Sequence, residues 1–148
     1  MKGQSPVSLP LLPCACANLR RATRAVTRMY NHALRSDGVE ITQFTLLMAL
    51  SQTGETTQGQ LGKLLALDST TLTRTLKLVK ERGWVKAKPG NDRRQKLLML
   101  TAAGREQLQR ATPHWKRAQE ELRTALGEPT WSQLGDLLAE VTRAGVEA

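Results

Sequence analysis

The chain has 148 residues, and its 22 lysines and arginines outnumber its 13 aspartates and glutamates to give a formal net charge of +9. This length fits one domain that buries a core without disulfides or metals, and the charge predicts a polyanionic partner, with nucleic acid ahead of an acidic membrane. Two cysteines two residues apart and two distant histidines exclude a four-ligand zinc site and a disulfide scaffold, so we predict reduced thiols, a cytoplasmic protein and neither metal nor cofactor.

The first twelve residues contain two prolines and no hydrophobic period, which predicts an extended arm. The apolar part of residues 1–15 is short and is interrupted by Pro6, Pro10 and Pro13, so we expect no export signal. No stretch approaches the roughly eighteen apolar residues of a membrane span, and we therefore expect no membrane partner.

Two helices are predicted next. From Pro13, which suits the first turn of a helix, apolar residues recur at helical spacing up to a turn at residues 36–38, and this pattern predicts a long amphipathic first helix. Thr42 is expected to cap a second helix, whose apolar residues point in more than one direction, as in a buried element, and which ends at "TGET".

Two shorter helices have clear capping signals. Thr57 followed by Gln60 forms the capping-box pattern of a short third helix. Asp68 is placed to cap a fourth helix, which runs to Gly83. Two short helices joined by a tight link are typical of a helix-turn-helix.

The pattern then changes to strands and returns to helices. Residues 84–89 and 95–100 flank the basic, turn-forming segment "GNDRR" and predict a β-hairpin. Thr101 opens a long fifth helix with a kink expected at Pro113, and a sixth helix follows "GEPT". This order of elements predicts a winged helix-turn-helix.

The fourth helix carries the first candidate site. At about 100° per residue, Leu72, Leu76 and Val79 share one side of this helix and are expected to pack. Short hydroxyl side chains at a helix N-terminus let phosphates approach, and an arginine behind them reaches guanine in the major groove. The alternative is a solvated face with ordinary caps. The candidate DNA-binding residues of this helix are Ser69, Thr70, Thr71, Thr73, Arg74 and Lys77.

The tip of the hairpin is the second candidate site. Arg93 and Arg94 are placed to enter a minor groove, where narrow A/T-rich segments concentrate negative potential. The alternative is that Asp92 pairs with a neighbouring arginine and shapes the turn. Both interpretations can hold together.

The segments "LALDSTTLTRTLKLVKERGWV" and "NDRRQKLLMLTAAG" resemble the MarR family of bacterial transcription regulators, and the resemblance extends from about Pro13 to the C-terminus. It implies one mainly α-helical domain, 1–148, with a small β-hairpin wing. Residues 13–36 and 102–146 would be the dimerisation helices of an obligate homodimer, and residues 42–100 the winged helix-turn-helix lobe, bound to a pseudo-palindromic site on double-stranded DNA. The apolar stripes of the terminal helices agree, because a monomer would expose them.

Members of this family release DNA when a small, often aromatic molecule enters a crevice between the dimerisation helices and the winged lobe, and others respond to thiol oxidation. Aligned on residues 24–30, the first helix is similar to that of the organic-hydroperoxide-sensing branch. The similarity places Cys16 on the reactive cysteine and Tyr30 on a tyrosine that hydrogen-bonds the thiolate. Arg20 stands where another tyrosine of that branch is expected.

Chemistry at Cys16 has two interpretations. The positive N-terminus of the helix and Arg20, one turn further on, would stabilise a thiolate, whereas the alternative is an inert thiol packed beside Leu19. Two residues apart on a helix, Cys14 and Cys16 would point about 200° apart, so a sulfenic acid and then a mixed disulfide are expected rather than a bond between them.

Other side chains of the terminal helices have less specific interpretations. His114, Trp115 and Trp131 are expected to fill the dimer core, with an effector crevice as the alternative. The arginines of the first helix are expected to form a solvated or phosphate-facing stripe.

We therefore predict a sequence-specific DNA-binding regulator, a repressor released by a small aromatic effector or by an organic peroxide that oxidises Cys16. The sequence has no glycine-rich phosphate loop, no metal-spaced cluster and no paired nucleophile and base, so we expect no enzyme. The alternative is a winged-helix protein-interaction module without DNA readout. The basic wing weighs against this interaction module, because such a module has no need of three cationic residues together, namely Arg93, Arg94 and Lys96.

Overall fold

The computed structural model describes residues 9–148, so most of the predicted extended arm lies outside the described residues. The described residues form six α-helices, a short 3₁₀ turn and a small sheet. The helices are α1 (Ala15–Ala33), α2 (Ile41–Thr53), α3 (Gln58–Leu65), α4 (Ser69–Glu81), α5 (Ala102–Leu126) and α6 (Thr130–Glu147). The strands are β1 (Thr56–Thr57), β2 (Val85–Pro89) and β3 (Lys96–Leu100), and the 3₁₀ turn is Arg35–Asp37. Within residues 9–148, every helix is too short or too polar to cross a bilayer.

The mainly helical fold with a wing is confirmed, with two corrections at helix starts. α1 begins at Ala15, with Pro13 outside it and Cys14 at its N-cap in an extended conformation. Thr42 does not cap α2, because the helix starts earlier. The Gln43 side chain accepts the N–H of Glu40 at 3.1 Å, and Asn31 of α1 accepts the N–H of Ile41 at 2.7 Å. These bonds fix the start of α2 at Ile41, so Glu40 and not Thr42 is the N-cap residue.

The caps predicted for the next three helices are confirmed. Thr57 and Gln60 exchange two hydrogen bonds, of 3.2 and 3.1 Å, at the start of α3. Thr101 Oγ1 accepts the N–H of Gly104 at 3.0 Å at the start of α5. α4 is capped by Asp68 and ends at Glu81, two residues before the predicted Gly83. Gly83 has φ of +75°, a left-handed conformation that closes the helix.

The predicted hairpin forms part of a three-stranded antiparallel sheet in the order β1-β3-β2. β2 and β3 pair from Val85 opposite Leu100 to Pro89 opposite Lys96. The two-residue strand β1 adds Thr56 opposite Leu98. The sequence did not predict β1, because two residues show no period.

The core lies where α2 crosses α5 and the sheet. α2 buries Phe44, Leu46, Leu47 and Leu50. Trp115 of α5 stacks on Phe44 with ring centroids 5.6 Å apart, so it packs in its own chain. His114 was expected to fill a core, but it is half-buried and binds Asp37. Pro113 lies inside α5 without ending it.

The helices α1 and α6 contribute little to this core. Tyr30 is the single buried residue of α1 within its bounds, and α6 buries none. Leu137, Leu138 and Val141 of α6 are 56%, 45% and 46% exposed. A water-facing row of large apolar side chains of this kind is typical of a protein interface.

The wing is joined directly to α5. Thr101 donates its N–H to the carbonyl of Trp84 at 3.0 Å and its hydroxyl to the carbonyl of Gly83 at 2.6 Å. One turn into α5, a Cβ atom on Gly104 would lie 2.0 Å from the Trp84 carbonyl oxygen. The helix and the root of the wing approach so closely that only glycine fits at this position.

Candidate nucleic-acid interface

α4 has the two faces that the sequence predicted. Leu72, Leu76 and Val79 are buried against the lobe. Thr70, Arg74 and Lys77 are exposed on the side away from these residues, and Ser69 and Thr73 are exposed beside the buried face near the start of the helix. This arrangement can donate hydrogen bonds to phosphates at the helix start and to base edges further along.

Two of the predicted hydroxyl donors also have partners inside the lobe. Thr71 donates its N–H and its hydroxyl to the two oxygens of Asp68, each at 2.8 Å, so its side chain serves the cap. Thr73 accepts a 2.9 Å bond from Gln58, which fixes the start of α3 to the first turns of α4. The hydroxyls of Ser69 and Thr70 remain exposed at the tip of the helix.

The Asp68 cap depends on its charge. The backbone N–H and then the hydroxyl of Thr71 bind the carboxylate and lower the pKa of Asp68 below its ordinary value. A carboxyl with a lowered pKa contributes its stabilisation fully above its ordinary pKa and loses it as the pH falls through the lowered value. The start of α4 therefore weakens in acid.

The cationic side chains of α4 differ in their pairing. Lys77 lies 3.9 Å from Glu81, and both side chains are largely exposed, so this pair contributes little to stability. Arg74 forms no ion pair within residues 9–148 and is free to meet another molecule.

The wing tip is shaped by backbone hydrogen bonds. Gly90 and Gln95 close the turn through a 2.8 Å bond, and Asp92 accepts the backbone N–H of Arg94 at 3.1 Å. Asp92 thus shapes the turn, as one interpretation expected, but it pairs with no arginine side chain in the described part of the chain. Arg93 and Arg94 are exposed, without an ion-pair partner among the same residues.

Two positioning contacts were not predicted. The Lys88 ammonium of β2 binds the Glu55 carboxylate, which ties the wing to the link before β1. The Arg82 guanidinium lies 4.5 Å from the centre of the Trp84 ring and donates to the Gly38 carbonyl at 2.8 Å. An arginine two residues before a tryptophan, across a glycine turn, was the available signal for the second contact.

The two cysteines are exposed, and two expectations about them need correction. Cys16 does not pack on the apolar face beside Leu19, which is itself 37% exposed. Cys14 lies outside the helix, so the angular argument against a bond between the cysteines does not apply. The Asn18 side chain exchanges two hydrogen bonds, of 3.0 and 2.8 Å, with the backbone of Leu12 and holds the segment before Cys14.

Tyr30 is far from Cys16 in its own chain. Its hydroxyl donates to Gln119 of α5, and burial raises the pKa of this phenol. Cys16 and Tyr30 are fourteen positions apart, which is about 21 Å of helix at about 1.5 Å per residue. Within one chain, this tyrosine therefore cannot hydrogen-bond the Cys16 thiol. Arg20 is exposed one turn from Cys16.

No group of three or more histidine, cysteine or acidic side chains is placed to hold a metal ion within residues 9–148. The arrangement that stands out is therefore the exposed face of α4 beside a basic wing.

Comparisons with known proteins point in the same direction. A sequence model of the MarR family matches residues 37–95. The uncharacterized HTH-type transcriptional regulator YwoH of Bacillus subtilis is 29% identical over 104 residues, which are 70% of this chain and 76% of that relative.

Two solved structures are similar over most of the chain. The M. tuberculosis transcriptional regulator MosR, in complex with DNA, is 34% identical with a TM-score of 0.83, over 90% of this chain and 97% of that chain. A mutant of E. coli MarR, complexed with operator DNA, is 26% identical with a TM-score of 0.77, over 85% of this chain and 91% of that chain.

Proposed function

Because this chain belongs to the MarR family of transcriptional regulators, we propose that it acts in the cytoplasm as a sequence-specific repressor that binds double-stranded DNA as a homodimer. One observation carries the proposal. The lobe presents, side by side, a helix face of free hydroxyl and cationic groups and a basic turn whose two arginines have no ion-pair partner within residues 9–148. In the two solved relatives described above, the structure includes DNA.

In this proposal, α4 lies in the major groove and the wing tip enters the adjacent minor groove. Ser69 and Thr70 donate to phosphates, Arg74 reads a base edge, and Arg93 and Arg94 follow the minor groove. Arg82 and Lys88 take no part, because their charges are engaged inside the lobe.

The dimer is supported by the terminal helices. α6 leaves Leu137, Leu138 and Val141 exposed in a single chain, α1 leaves Leu19 exposed, and α5 contacts both helices and α2 of the lobe. A second copy that covers these helices would place two copies of α4 on one face of the DNA, which suits a pseudo-palindromic operator.

The salt dependence of DNA binding tests the wing. Fluorescence anisotropy is measured with a duplex from upstream of the chain's own coding sequence, over a series of salt concentrations. Each lost phosphate contact makes the plot of log K against log salt less steep by about 0.9. The double variant Arg93→Gln with Arg94→Gln removes four arginines from a homodimer, so its plot should be less steep by about 3 to 4. The control is Lys116→Gln, which removes an exposed charge of α5 and should leave the slope unchanged.

Two results would contradict the proposal. If the double wing variant has the same dependence of log K on log salt as the parent protein, the wing does not contact the DNA. A parent protein that binds no duplex, or binds it without salt dependence, would favour the protein-interaction module. Sedimentation equilibrium on the same samples should give twice the chain mass of 16.4 kDa.

We further propose that the repressor releases DNA in response to a small effector or to oxidation of Cys16 by an organic hydroperoxide. In the oxidative route, the Cys16 thiolate attacks the peroxide, the O–O bond breaks, and the products are a sulfenic acid and an alcohol. Supporting this route, Cys16 is exposed in a first turn that contains no acidic side chain, with Arg20 one turn away.

Cysteine variants decide the oxidative route. Cumene hydroperoxide should weaken DNA binding of the parent and of Cys14→Ser at least about tenfold, and Cys16→Ser should keep its affinity. Release of both serine variants would leave the small effector as the signal. If Cys14→Ser were also resistant, both thiols would be required and the route through Cys16 alone would be wrong.

A further inference from the structure

A row of three arginines and one histidine on α1 takes no part in the proposed contacts with the operator. Arg20, Arg24, Arg28 and His32 follow one another at intervals of one helical turn, and all four are exposed. The row spans about 18 Å at about 1.5 Å per residue. The sequence of α1 contains no aspartate or glutamate, whereas α4, α5 and α6 each contain acidic residues. The row is therefore a surface of one sign of charge.

The arginines of this row keep their charge unpaired in the chain's own fold. Arg20, Arg24 and Arg28 form no ion pair within residues 9–148. Glu121 of α5 lines the same shallow cleft as Arg28 and forms no ion pair with it. Like charges one turn apart on a helix repel each other, so an anion that neutralises the row would stabilise α1.

The row lies on the side of α1 that faces neither the chain's own core nor the proposed second copy. Tyr30, which is buried and bonded to α5, lies about 160° around the helix axis from Arg28 and His32. Leu19, the exposed leucine that the second copy would cover, lies about 180° from Arg28 and about 140° from Arg24. A homodimer formed through the apolar side of α1 therefore leaves these charged side chains in water.

We propose that this row binds the phosphate backbone of a second DNA duplex, so that one dimer holds two segments of DNA. Consecutive phosphates of one strand are about 3.4 Å apart along the duplex axis, so a row of about 18 Å follows about five of them. α2 packs against both α1 and α4 and separates the row from the duplex on α4. The row therefore contacts DNA other than the operator.

A duplex suits this surface better than an acidic membrane does. A helix that lies on a membrane buries its apolar side in the lipid. On α1 that side carries Tyr30, which packs against α5, and Leu19, which the proposed dimer covers. Guanidinium groups bind the phosphates of any duplex, so the second segment needs no particular sequence. This inference goes beyond the proposed function and rests on it only for the simultaneous binding of the operator.

A variant without the proposed operator contacts isolates the row. In this lobe variant, Arg74, Arg93 and Arg94 are each replaced by glutamine, and anisotropy of a random-sequence duplex at low salt measures the binding that remains. Adding Arg24→Gln and Arg28→Gln should weaken this binding at least about tenfold, because a dimer loses four phosphate contacts. A lobe variant that binds no duplex at low salt would overturn the proposal.

Two further changes to the lobe variant serve as controls. Lys80→Gln with Lys116→Gln removes the same number of exposed charges outside the row and should weaken binding by less than about threefold, because these charges contact no phosphate of the second duplex. Arg24→Lys with Arg28→Lys keeps the charge and should preserve binding. If the lysine and glutamine replacements in the row weakened binding equally, or if the control pair matched the row pair, the row would not be a DNA surface.

Simultaneous binding is tested with the lobe intact. Beads carry the duplex from upstream of the coding sequence and hold the protein, and the retention of a labelled random duplex is measured. The parent should retain this second duplex, and Arg24→Gln with Arg28→Gln should retain at least about tenfold less while it binds the upstream duplex as the parent does. No retention by the parent would overturn the proposal.

Three other results separate the possible failures. If the Arg24 and Arg28 variant loses affinity for the upstream duplex itself, the row contacts the operator and no second duplex is held. If it dissociates the dimer in sedimentation equilibrium, acidic side chains of a second copy pair with the row and the proposal is wrong. A parent that binds random duplex through the row but shows no preference for the upstream duplex would refute the proposed function and leave the row in place.

Discussion

Gly104→Ala should destabilise the fold by about 3 kcal/mol or more, which is a large part of the stability of a domain of this size. The added Cβ atom would lie 2.0 Å from the carbonyl oxygen and 2.9 Å from the carbonyl carbon of Trp84. Both atoms are backbone, so no side-chain rotation relieves the overlap. Either α5 or the root of the wing must move, and the two bonds between Thr101 and the Gly83–Trp84 carbonyls are then lost.

Urea unfolding at a fixed protein concentration measures this effect through the midpoint of the transition. The matched control is Gly59→Ala in α3, where nothing lies within 4 Å of the added atom. Alanine is the better helix former, so this control should gain up to about 1 kcal/mol. A Gly104→Ala protein as stable as the parent would mean that α5 does not approach the wing.

Local signals account for the parts of the fold that the sequence predicted well. The caps at Thr57, Asp68 and Thr101 depend on residues within three positions of each other, and all three formed as expected. The predicted cap at Thr42 was wrong for a physical reason that local sequence does not show. Asn31, ten residues earlier in α1, supplies an acceptor to the start of α2, and sequence spacing does not report this contact.

The candidate site likewise has features that local sequence predicts and contacts that it does not. The faces of α4 follow from helical geometry, and a basic turn between two strands is visible in the sequence. The turn at Asp37 is different, because its partners are 77 and 70 residues away along the chain. Contacts at that separation depend on how α5 crosses the lobe, which no local pattern specifies. The apolar stripe of α6 is visible in the sequence, and within residues 9–148 it remains exposed.

Arg74→Gln should weaken binding to the preferred duplex at least about thirtyfold, because a homodimer loses the arginine in both half-sites, and should weaken binding to a random duplex much less. Arg74 is exposed near the start of α4, behind Ser69 and Thr70, and has no ion pair within residues 9–148. A guanidinium in this position can donate two hydrogen bonds to guanine, and such a pair contributes about 1–3 kcal/mol of discrimination. Glutamine keeps most of the length of the side chain but neither its charge nor its forked donors.

The matched control is Lys80→Gln, an exposed cation of the same helix that lies about 120° around the helix axis from Arg74. Anisotropy with both duplexes at one salt concentration separates the two roles of a cation. Lys80→Gln should change both affinities slightly and equally, because it alters only the overall charge of the lobe. If Arg74→Gln weakened the preferred and random duplexes by the same factor, Arg74 would bind a phosphate, and sequence would have to be read by the remaining side chains of α4 or by the wing.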